Sequence, residues 1–299
     1  MSSLSTNHLS IDWQASRVDR IQFAGRPYFV KRDDLLTPLS GNKARKLYGL
    51  MSQDLSGYRN IVSYGGTQSN AMLALAQFCQ MLGISFEYFT RPVPKWLAEN
   101  PLGNLHHALA HGMHWKISPN GLPPETIASD SLLIPQGIAM PEAHTGLALL
   151  AAEIELFCQT QQLDDLAIVT PSGTGTTALY LQQYLNHPVY TVPCVGDRQA
   201  LQTMFEAALP NAARYPQILD TEKRYRFGEP QPELLDMYET LLAETGIEFE
   251  LMYDAKTWLV LKDHLFEQAV LYLHNGGISG NESMLARYRR QANLTPPNP

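Results

Sequence analysis

The amino-acid sequence predicts an α/β fold built on mostly parallel sheets. Short apolar runs rich in Val, Ile, Phe and Tyr alternate along the chain with longer segments of helical periodicity. This alternation is typical of parallel strands joined by crossover helices. With 299 residues, of which 44% are hydrophobic, the chain is long enough to form two domains that each bury a core.

Eight segments have the composition of strands, and eight have the periodicity of helices. The predicted strands are residues 28–32, 60–65, 84–90, 114–118, 131–135, 166–170, 189–195 and 269–275. The predicted helices are residues 41–54, 69–82, 104–111, 144–161, 175–186, 197–207, 232–245 and 279–292. Two Pro-rich or polar stretches, residues 118–130 and 208–233, are long enough to be functional loops over a site.

The composition excludes several classes of partner. Lys and Arg total 22 against 29 Asp and Glu, a net charge of -7, so we expect binding neither to nucleic acid nor to a membrane. The three cysteines are odd in number and include no CxxC pair, which argues against a disulfide framework. The first 13 residues lack the features of a signal peptide, and no run of 18 apolar residues occurs. We therefore expect a cytoplasmic protein.

Two segments place the start of a helix directly after an apolar strand. In "SYGGTQSNAML" the strand ends at Tyr64, two glycines turn the chain, and Ser69 or Asn70 can cap the next helix. In "PSGTGTTALYL" glycines let the backbone approach a ligand, and threonine hydroxyls lie beside free amides. Both helix starts favour an anion. Simple capping in the first segment and a tight strand-to-helix turn in the second are the alternative explanations.

The kind of anion is narrowed by what the second segment lacks. It has neither the Gly-Lys-Ser/Thr ending of a nucleotide P-loop nor the GxGxxG pattern of a dinucleotide site. A lysine at a helix start, as Lys43 is in "SGNKARKLYGL", is most often an ordinary solvated charge. Together with two anion-facing helix starts, however, it suggests pyridoxal 5'-phosphate, a phosphorylated carbonyl compound that lysine can bind.

Six motifs resemble one enzyme family. They are "GNKARK", "GGTQSN", "IPQGIAMPEAHTGLALLAAEI", "SGTGTT", "YDAK" and "LYLHNGG", and they occur in the order and approximate spacing of the 1-aminocyclopropane-1-carboxylate deaminase and D-cysteine desulfhydrase family. The resemblance runs from about residue 31 to residue 277. It implies the fold-type-II architecture of tryptophan-synthase-beta-like enzymes, with pyridoxal 5'-phosphate as cofactor, a small amino acid as substrate, and a homodimer.

The same resemblance leads us to expect two domains, each with a mostly parallel twisted sheet flanked by helices. A large cofactor-binding domain comprises residues 1–47 and 143–299, and a small domain of residues 48–142 is inserted in it.

The resemblance also assigns roles to residues of the first two motifs. Lys43 matches the Schiff-base lysine that moves the alpha proton, and Lys46 matches a second lysine near the cofactor phosphate. Ser69 and Asn70 resemble the pair that contacts the substrate carboxylate and the ring hydroxyl of the cofactor. Ser69 is also a candidate for proton transfer, and Gln68 of the same motif is a candidate for substrate binding.

The later motifs supply the remaining roles that the resemblance implies. Tyr253 matches the catalytic tyrosine of the family, and Asp254 falls at the position that faces the pyridine nitrogen. The phosphate is expected to be held by Gly173, Thr174, Gly175, Thr176 and Thr177.

Five residues depart from the family pattern. Asp254 stands where the deaminases have Glu and the desulfhydrases usually Thr, Ala255 replaces the usual Gly, and Thr176 replaces a glycine of the phosphate-binding turn. Phe227 stands about where the deaminases have a second active-site tyrosine, and Asn275 where they have Leu and the desulfhydrases have Thr. Because Phe227 and Asn275 are substrate-binding candidates that leave the deaminase pattern, we favour D-cysteine desulfhydrase-like beta-elimination. The alternatives are aminocyclopropane carboxylate deamination and a non-catalytic protein that binds the cofactor or another ligand.

Two further groups of residues are interpreted as structural. His107 and His111 are four residues apart on one helical face, but the HExxH pattern and a matching third ligand are missing, so we expect no metal. Asp33 and Asp34 are adjacent, and on a strand they would point to opposite faces, which argues against a catalytic acid pair. The family that the chain resembles also has an acid at this place, and we interpret it as structural, orienting the loop that precedes Lys43.

Overall fold

The computed structural model describes residues 11–220 and 223–294, with the side chains of residues 292–294 left out. The first ten residues, on which the signal-peptide argument largely depends, and residues 221–222 of the predicted loop lie outside the described part. The described chain forms two compact units. The smaller unit comprises Leu36–Gly146 together with residues 11–13, and the larger unit comprises Gln14–Leu35 and the described residues from 147 onward.

The regular elements are numbered here in chain order. The strands are β1 (Val18–Phe23), β2 (Arg26–Arg32), β3 (Asn60–Tyr64), β4 (Ser85–Thr90), β5 (Met113–Ile117), β6 (Ser131–Leu133), β7 (Leu166–Ser172), β8 (Val189–Pro193), β9 (Gln217–Ile218) and β10 (Ala269–His274). The helices are α1 (Gly41–Met51), α2 (Asn70–Leu82), α3 (Lys95–Glu99), α4 (Asn104–Ala110), α5 (Ala143–Gln161), α6 (Thr176–Tyr184), α7 (Arg198–Ala208), α8 (Pro232–Thr245), α9 (Asp254–Asp263) and α10 (Gly280–Leu294).

All of the predicted strands and helices are present, but four elements were missed. The short elements α3 and β9 have too few residues to show a period. Strand β1 reads "VDRIQF", in which charged residues interrupt the apolar run because β1 is the edge strand and pairs with β2 alone. Helix α9 is buried over most of its length, so it lacks the polar face by which an amphipathic helix is recognised.

The smaller unit contains a four-stranded parallel sheet in the order β5-β4-β3-β6. Its core is formed by side chains from the sheet and from α1, α2 and α4, among them Leu47, Leu75, Phe78 and Phe86. Strand β3 is an inner strand, and its carboxyl end leads through two glycines into α2. The start of α2 therefore lies over the middle of the carboxyl edge of the sheet, where ligands bind in α/β proteins.

The larger unit contains a six-stranded sheet in the order β1-β2-β10-β7-β8-β9, in which only the β1–β2 pair is antiparallel. Every residue of β7 is buried, as expected for a central strand covered on both faces. Strand β10 pairs with β7, with Tyr272 opposite Val169. The segments that follow these two strands therefore leave the same edge of the sheet side by side.

The compact units do not coincide with the predicted domains at every boundary. Helix α1, which carries Lys43, belongs to the Leu36–Gly146 unit, whereas the prediction placed residues up to 47 in the large domain. The β1–β2 hairpin and the 3-10 helix Asp33–Leu35 belong to the larger unit. Among the described helices, none combines the length and the apolar character that a bilayer crossing requires.

Candidate active site

Lys43 lies in the first turn of α1, which begins at Gly41 in the left-handed region (φ 67°). The side chain is half-buried, and its Nζ donates a hydrogen bond to Asn42 Oδ1 over 2.7 Å. Burial lowers the pKa of the Lys43 amine to about 8, because the ammonium form loses hydration. A lysine amine must be neutral to act as a nucleophile or a base, so this shift increases the reactive fraction at neutral pH.

Lys46 lies one turn further along α1 and is only 3% exposed. Its Nζ donates a hydrogen bond to the carbonyl oxygen of Gly137 over 3.0 Å. The pKa of Lys46 is lowered, first by burial and then by repulsion from Lys43. The two amines therefore lie close enough to interact, and an anion beside them would relieve both the repulsion and the lost hydration.

The start of α2 brings together the three residues of the "QSN" motif. Ser69 is the N-cap residue, and its Oγ accepts a hydrogen bond from the Met72 amide over 3.3 Å. Gln68 Nε2 donates to the Leu102 carbonyl over 3.0 Å, and Asn70 Oδ1 accepts from Asn104 Nδ2 over 2.7 Å. Ser69 thus performs the capping role, while Gln68 and Asn70 attach this turn to the segment before α4.

Asn104 is a residue that the sequence analysis missed. It is fully buried, its amide nitrogen donates to Gln68 Oε1, and its Nδ2 donates to the Gln68 carbonyl, each over 3.0 Å. With the bond to Asn70, this one side chain holds both polar residues of the turn in place. In the sequence, Asn104 follows a glycine at the start of a predicted helix, a pattern that is typical of ordinary helix capping and does not indicate a functional residue.

The larger unit contains the second predicted anion site, at the turn between β7 and α6. Gly175 is the N-cap residue of the nine-residue helix α6 and has φ 75°. A Cβ atom at Gly175 would lie 2.4 Å from a ring carbon of Phe205. The Oγ1 atoms of Thr174 and Thr176 are 3.0 Å apart. The amides of the first helical turn have no partner within a helix, so this turn has the geometry to bind a phosphate.

We predict that Gly175→Ala destabilises the protein much more than Gly25→Ala. The two glycines have nearly the same φ, 75° and 74°, but only a Cβ at Gly175 meets other atoms within 4 Å. The left-handed conformation alone costs about 1–2 kcal/mol, and overpacking against Phe205 should add about 1–3 kcal/mol. Urea unfolding of the two variants measures the difference. Equal losses would show that the close approach to Phe205 is unimportant.

Tyr253 lies against the same turn. A Cβ atom on Gly173 would be 3.3 Å from both the hydroxyl oxygen and Cε1 of Tyr253. Phe227 packs edge-on against the Tyr253 ring, with ring centroids 5.2 Å apart, and is 44% exposed. Three residues predicted for the site, one from each of three distant segments, therefore meet in this unit, and glycine at position 173 leaves space for the tyrosine.

Asn275 follows β10, next to the strand that leads into the glycine turn. Its Nδ2 donates a hydrogen bond to Thr170 Oγ1 over 2.8 Å. Its Oδ1 is buried, and the described residues offer it no hydrogen bond. Because buried carbonyl oxygens normally have a donor, this oxygen is a candidate acceptor for a bound molecule.

Asp254, the first residue of α9, is 1% exposed and lies in a buried polar network. Its Oδ1 accepts from the Tyr272 hydroxyl over 2.5 Å, and its Oδ2 accepts from the Glu250 amide over 2.9 Å. His274 Nδ1 lies 3.5 Å from the same Oδ2. Burial raises the pKa of Asp254, and the neighbouring His274 lowers it. The expected contact of Asp254 with a pyridine nitrogen stays a prediction.

His274 is fully buried. Its Nε2 lies 2.8 Å from the carbonyl oxygen of Glu248, and its Nδ1 lies 3.3 Å from the Gly276 amide nitrogen. The ring stacks on Phe249, with centroids 4.7 Å apart. Tyr272 and His274 were not predicted to belong to the site. They are two positions apart in the predicted strand of "LYLHNGG", and this spacing was the available signal that their side chains share one face of the sheet.

Glu250 is a second buried acid in this network. Its Oε2 accepts from the amides of Met252 and Tyr253 over 2.8 and 2.5 Å. Burial, followed by repulsion from Asp254, raises the pKa of Glu250 from 4.5 to about 8. A carboxyl group with a higher pKa in the folded state takes up a proton on folding, so its contribution to stability falls as the pH rises between these values.

We predict that Glu250→Gln stabilises the protein at alkaline pH. The amide keeps an oxygen for the two backbone donors but never becomes an anion, so the gain should grow from near zero at pH 4.5 to about 5 kcal/mol at pH 9. Urea unfolding across this pH range measures it. Glu239→Gln, on the exposed face of α8, is the control and should show no such trend. A gain that shrinks as the pH rises would contradict the assignment.

The acid pair before α1 has structural partners. Asp33 Oδ1 accepts from Ser16 Oγ over 2.5 Å, and Asp34 accepts two hydrogen bonds from Arg32 over 2.8 and 2.7 Å. The two residues form a short 3-10 helix, Asp33–Leu35, so the sequence argument that placed them on a strand was wrong. His111, one of the two histidines of the predicted helix face, contacts Gln80 Oε1 through Nδ1 over 2.7 Å.

No family model and no curated protein matches the chain. Solved structures do. The chain is similar to an ACC deaminase homologue, with 21% identity and a TM-score of 0.72 over 91% of this chain and 93% of that chain. It is similar to a fungal L-serine ammonia-lyase from Rhizomucor miehei, with 13% identity and a TM-score of 0.63 over 94% and 98% of the two chains. It is also similar to a pyridoxal 5'-phosphate-dependent aspartate racemase, with 14% identity and a TM-score of 0.60 over 91% and 92%.

These similarities cover nearly the whole length of each protein. At identities of 21% and below, they establish the fold. The chain therefore has the fold-type-II architecture that its six motifs predicted.

Proposed function

We propose that the chain is a pyridoxal 5'-phosphate-dependent lyase or deaminase that acts on a small amino acid. The observation that supports this most directly is the amine of Lys43, whose pKa is lowered to about 8 at the start of α1 in the motif "GNKARK". The solved structures of this fold include an ACC deaminase homologue, an L-serine ammonia-lyase and an aspartate racemase, each of which handles a small amino acid or its analogue.

The residues present fit the cofactor. The turn before α6 combines the amides of a helix start with the hydroxyls of Thr174 and Thr176, groups that can bind a phosphate. Lys43 supplies an amine whose lowered pKa increases its neutral fraction near neutral pH, and Asp254 supplies a buried carboxyl for the ring nitrogen. When bound, pyridoxal 5'-phosphate contributes an electrophilic carbonyl and a ring that withdraws electrons from the alpha carbon.

The chain's own groups then have distinct tasks in our proposal. Lys43 holds the cofactor and takes the alpha proton of the substrate, which a neutral amine of lowered pKa can accept near neutral pH. The start of α2, with Ser69 and Asn70, binds the substrate carboxylate through the positive end of the helix. The hydroxyl of Tyr253, which lies against Gly173, moves a second proton.

Between the possible reactions, we favour beta-elimination from a D-amino acid. The substrate and one water then give a 2-oxo acid, ammonia and the leaving group, which is sulfide for D-cysteine. Phe227 supports this choice, because the ring that packs on Tyr253 has no hydroxyl to assist cyclopropane opening. The similarity to an ACC deaminase homologue at a TM-score of 0.72 favours the second candidate, ring opening of aminocyclopropane carboxylate to 2-oxobutyrate and ammonia.

The test is to purify the protein, record its absorbance before and after adding pyridoxal phosphate, and assay release of 2-oxo acid. We expect a yellow protein that releases pyruvate from D-cysteine and D-serine faster than 2-oxobutyrate from aminocyclopropane carboxylate. Faster release from the cyclopropane substrate would favour the second candidate. A yellow protein without turnover would favour a non-catalytic binding protein, and one that stays colourless contradicts the proposal.

We predict that Phe227→Tyr shifts the specificity towards the cyclopropane substrate. The added hydroxyl stands beside Tyr253 on an exposed ring, so the substitution needs no rearrangement of the core. A positioned proton donor should raise kcat/KM for aminocyclopropane carboxylate at least about tenfold relative to D-cysteine. Phe227→Leu, which removes the ring without adding a hydroxyl, is the control. An equal ratio in both variants would show that the hydroxyl is not what limits ring opening.

The resemblance leads us to propose further that the protein is a cytoplasmic homodimer. Sedimentation equilibrium gives the mass directly, and the value to compare is twice the 33.5 kDa of one chain. A monomer mass at micromolar concentration would contradict this part of the proposal.

A further inference from the structure

The larger unit contains a cavity at the edge of its sheet opposite to the glycine turn. Its volume is about 520 Å³, and three connections form its walls: the β1–β2 hairpin, the α5–β7 connection and the α9–β10 connection. These connections meet where the parallel strands β2, β7 and β10 begin, whereas the turn before α6 follows the end of β7. The cavity is therefore separate from the candidate active site, and none of the residues proposed for that site lines it.

The polar side chains that line this cavity carry no carboxylate. Among the described residues they are Arg20, Arg26, Tyr28, Gln161, His264 and Gln268, with no Asp or Glu, although acidic residues outnumber basic ones in the chain by 29 to 22. Glu267 lies in the α9–β10 connection but is not part of the lining. Two guanidinium groups without a carboxylate among the lining residues make the cavity electrostatically suited to an anion.

The guanidinium of Arg26 is held in place at the cavity wall. Its Nη1 donates to the carbonyl oxygens of Lys262 and His264 over 3.4 and 3.1 Å. Arginine has five N–H donors in a planar fork, and both of these bonds start from one nitrogen. Arg26 also interacts electrostatically with the Tyr28 hydroxyl, another group of the lining. The fork is thus oriented before any ligand arrives, which lowers the entropy cost of binding.

The rest of the lining is apolar and partly open to water. Leu265 is 74% exposed, the highest exposed fraction among the large hydrophobic side chains of the described chain. Phe266 packs edge-on against His264 and Tyr190, with centroids 4.4 and 5.0 Å apart, which fixes one aromatic wall. An apolar group that covers Leu265 and Phe266 would remove this surface from water.

We propose that this cavity binds a small organic carboxylate with an apolar body. The carboxylate would pair with Arg20 and Arg26, and the hydrocarbon would cover Leu265 and Phe266. The volume of about 520 Å³ lies within the range typical of small-molecule sites, about 300–1,000 Å³. The oriented guanidinium group suits the carboxylate end of such a ligand, and the exposed apolar side chains suit its hydrocarbon end. This site does not depend on the proposed function of the candidate active site.

The test measures binding of 4-phenylbutyrate to the purified full-length protein by isothermal titration calorimetry. We expect saturable binding, no binding of the neutral analogue 4-phenylbutanol at the same concentrations, and about tenfold weaker binding to Arg20→Gln. Leu265→Asp places a carboxylate at an exposed position of the lining and should abolish binding without loss of fold. Arg198→Gln and Leu242→Asp, at exposed positions away from the cavity, are the matched controls and should bind as the wild type does.

Four results would overturn the proposal. Binding of 4-phenylbutyrate that survives Leu265→Asp would place the ligand elsewhere, and equal binding of the alcohol would exclude recognition of a carboxylate. Absence of saturable binding up to millimolar concentration would exclude the ligand class. Sedimentation of Leu265→Asp completes the test: a change in mass would identify this surface as a contact between copies of the chain, and an unchanged mass supports the ligand site.

Discussion

Replacing Lys43 with alanine is expected to reduce turnover at least about a thousandfold and to remove the yellow absorbance of the bound cofactor. Lys43 is half-buried in the first turn of α1, and burial lowers the pKa of its amine to about 8. No other described group is proposed to bond the cofactor and to move the alpha proton. Absorbance spectra and single-turnover assays with the best substrate measure the two losses separately.

The controls distinguish loss of the reactive amine from misfolding and from loss of a positive charge. Lys95→Ala changes an 87% exposed side chain of the same unit and should leave turnover unchanged. Lys43→Arg keeps a cation at the position but supplies no amine, so it should be as inactive as Lys43→Ala. Alanine is well tolerated in helices, so circular dichroism should show an intact α1. Turnover by Lys43→Ala within tenfold of the wild type would exclude Lys43 as the central group.

Asp254→Ala and Asp254→Asn are expected to differ strongly in stability but to share a loss of turnover. Alanine leaves the Tyr272 hydroxyl and the Glu250 amide, which bond the two carboxylate oxygens over 2.5 and 2.9 Å, without acceptors in a buried site. We expect Asp254→Ala to lower the free energy of unfolding by about 3–5 kcal/mol. Asparagine can accept from the Glu250 amide and donate to the Tyr272 oxygen, so we expect a loss of only about 1 kcal/mol.

The loss of turnover tests the role of the charge. An amide cannot accept a proton from the ring nitrogen, so Asp254→Asn should lower kcat at least about a hundredfold while the protein stays folded. Urea unfolding and steady-state kinetics of the two variants give both quantities. A folded Asp254→Asn with wild-type kcat would show that Asp254 only stabilises the start of α9. Tyr272→Phe is a useful comparison, because it removes one bond to Asp254 but keeps the carboxylate.

Most of the strands and helices, and the two helix starts that follow glycine turns, could be predicted from the sequence alone. Apolar periodicity is a local property, and glycine after a strand followed by Ser, Thr or Asn is a local signal for a turn and a helix start. The six motifs extended this to the fold-type-II architecture, which the solved structures confirm. The edge strand β1 and the buried helix α9 were missed, because their patterns depend on which neighbours cover them.

The chemical state of the candidate residues was decided by the tertiary structure. "GNKARK" identifies Lys43, but the lowered pKa of its amine follows from burial, which no local pattern reports. Asp254 was predicted from its position directly after Tyr253. The groups that contact its carboxylate, the Tyr272 hydroxyl and the His274 ring, come from strand β10. Sequence determines which groups a chain possesses and which segments form strands and helices. The distances between those groups, and therefore their pKa values and hydrogen bonds, arise only when segments far apart in the chain pack together.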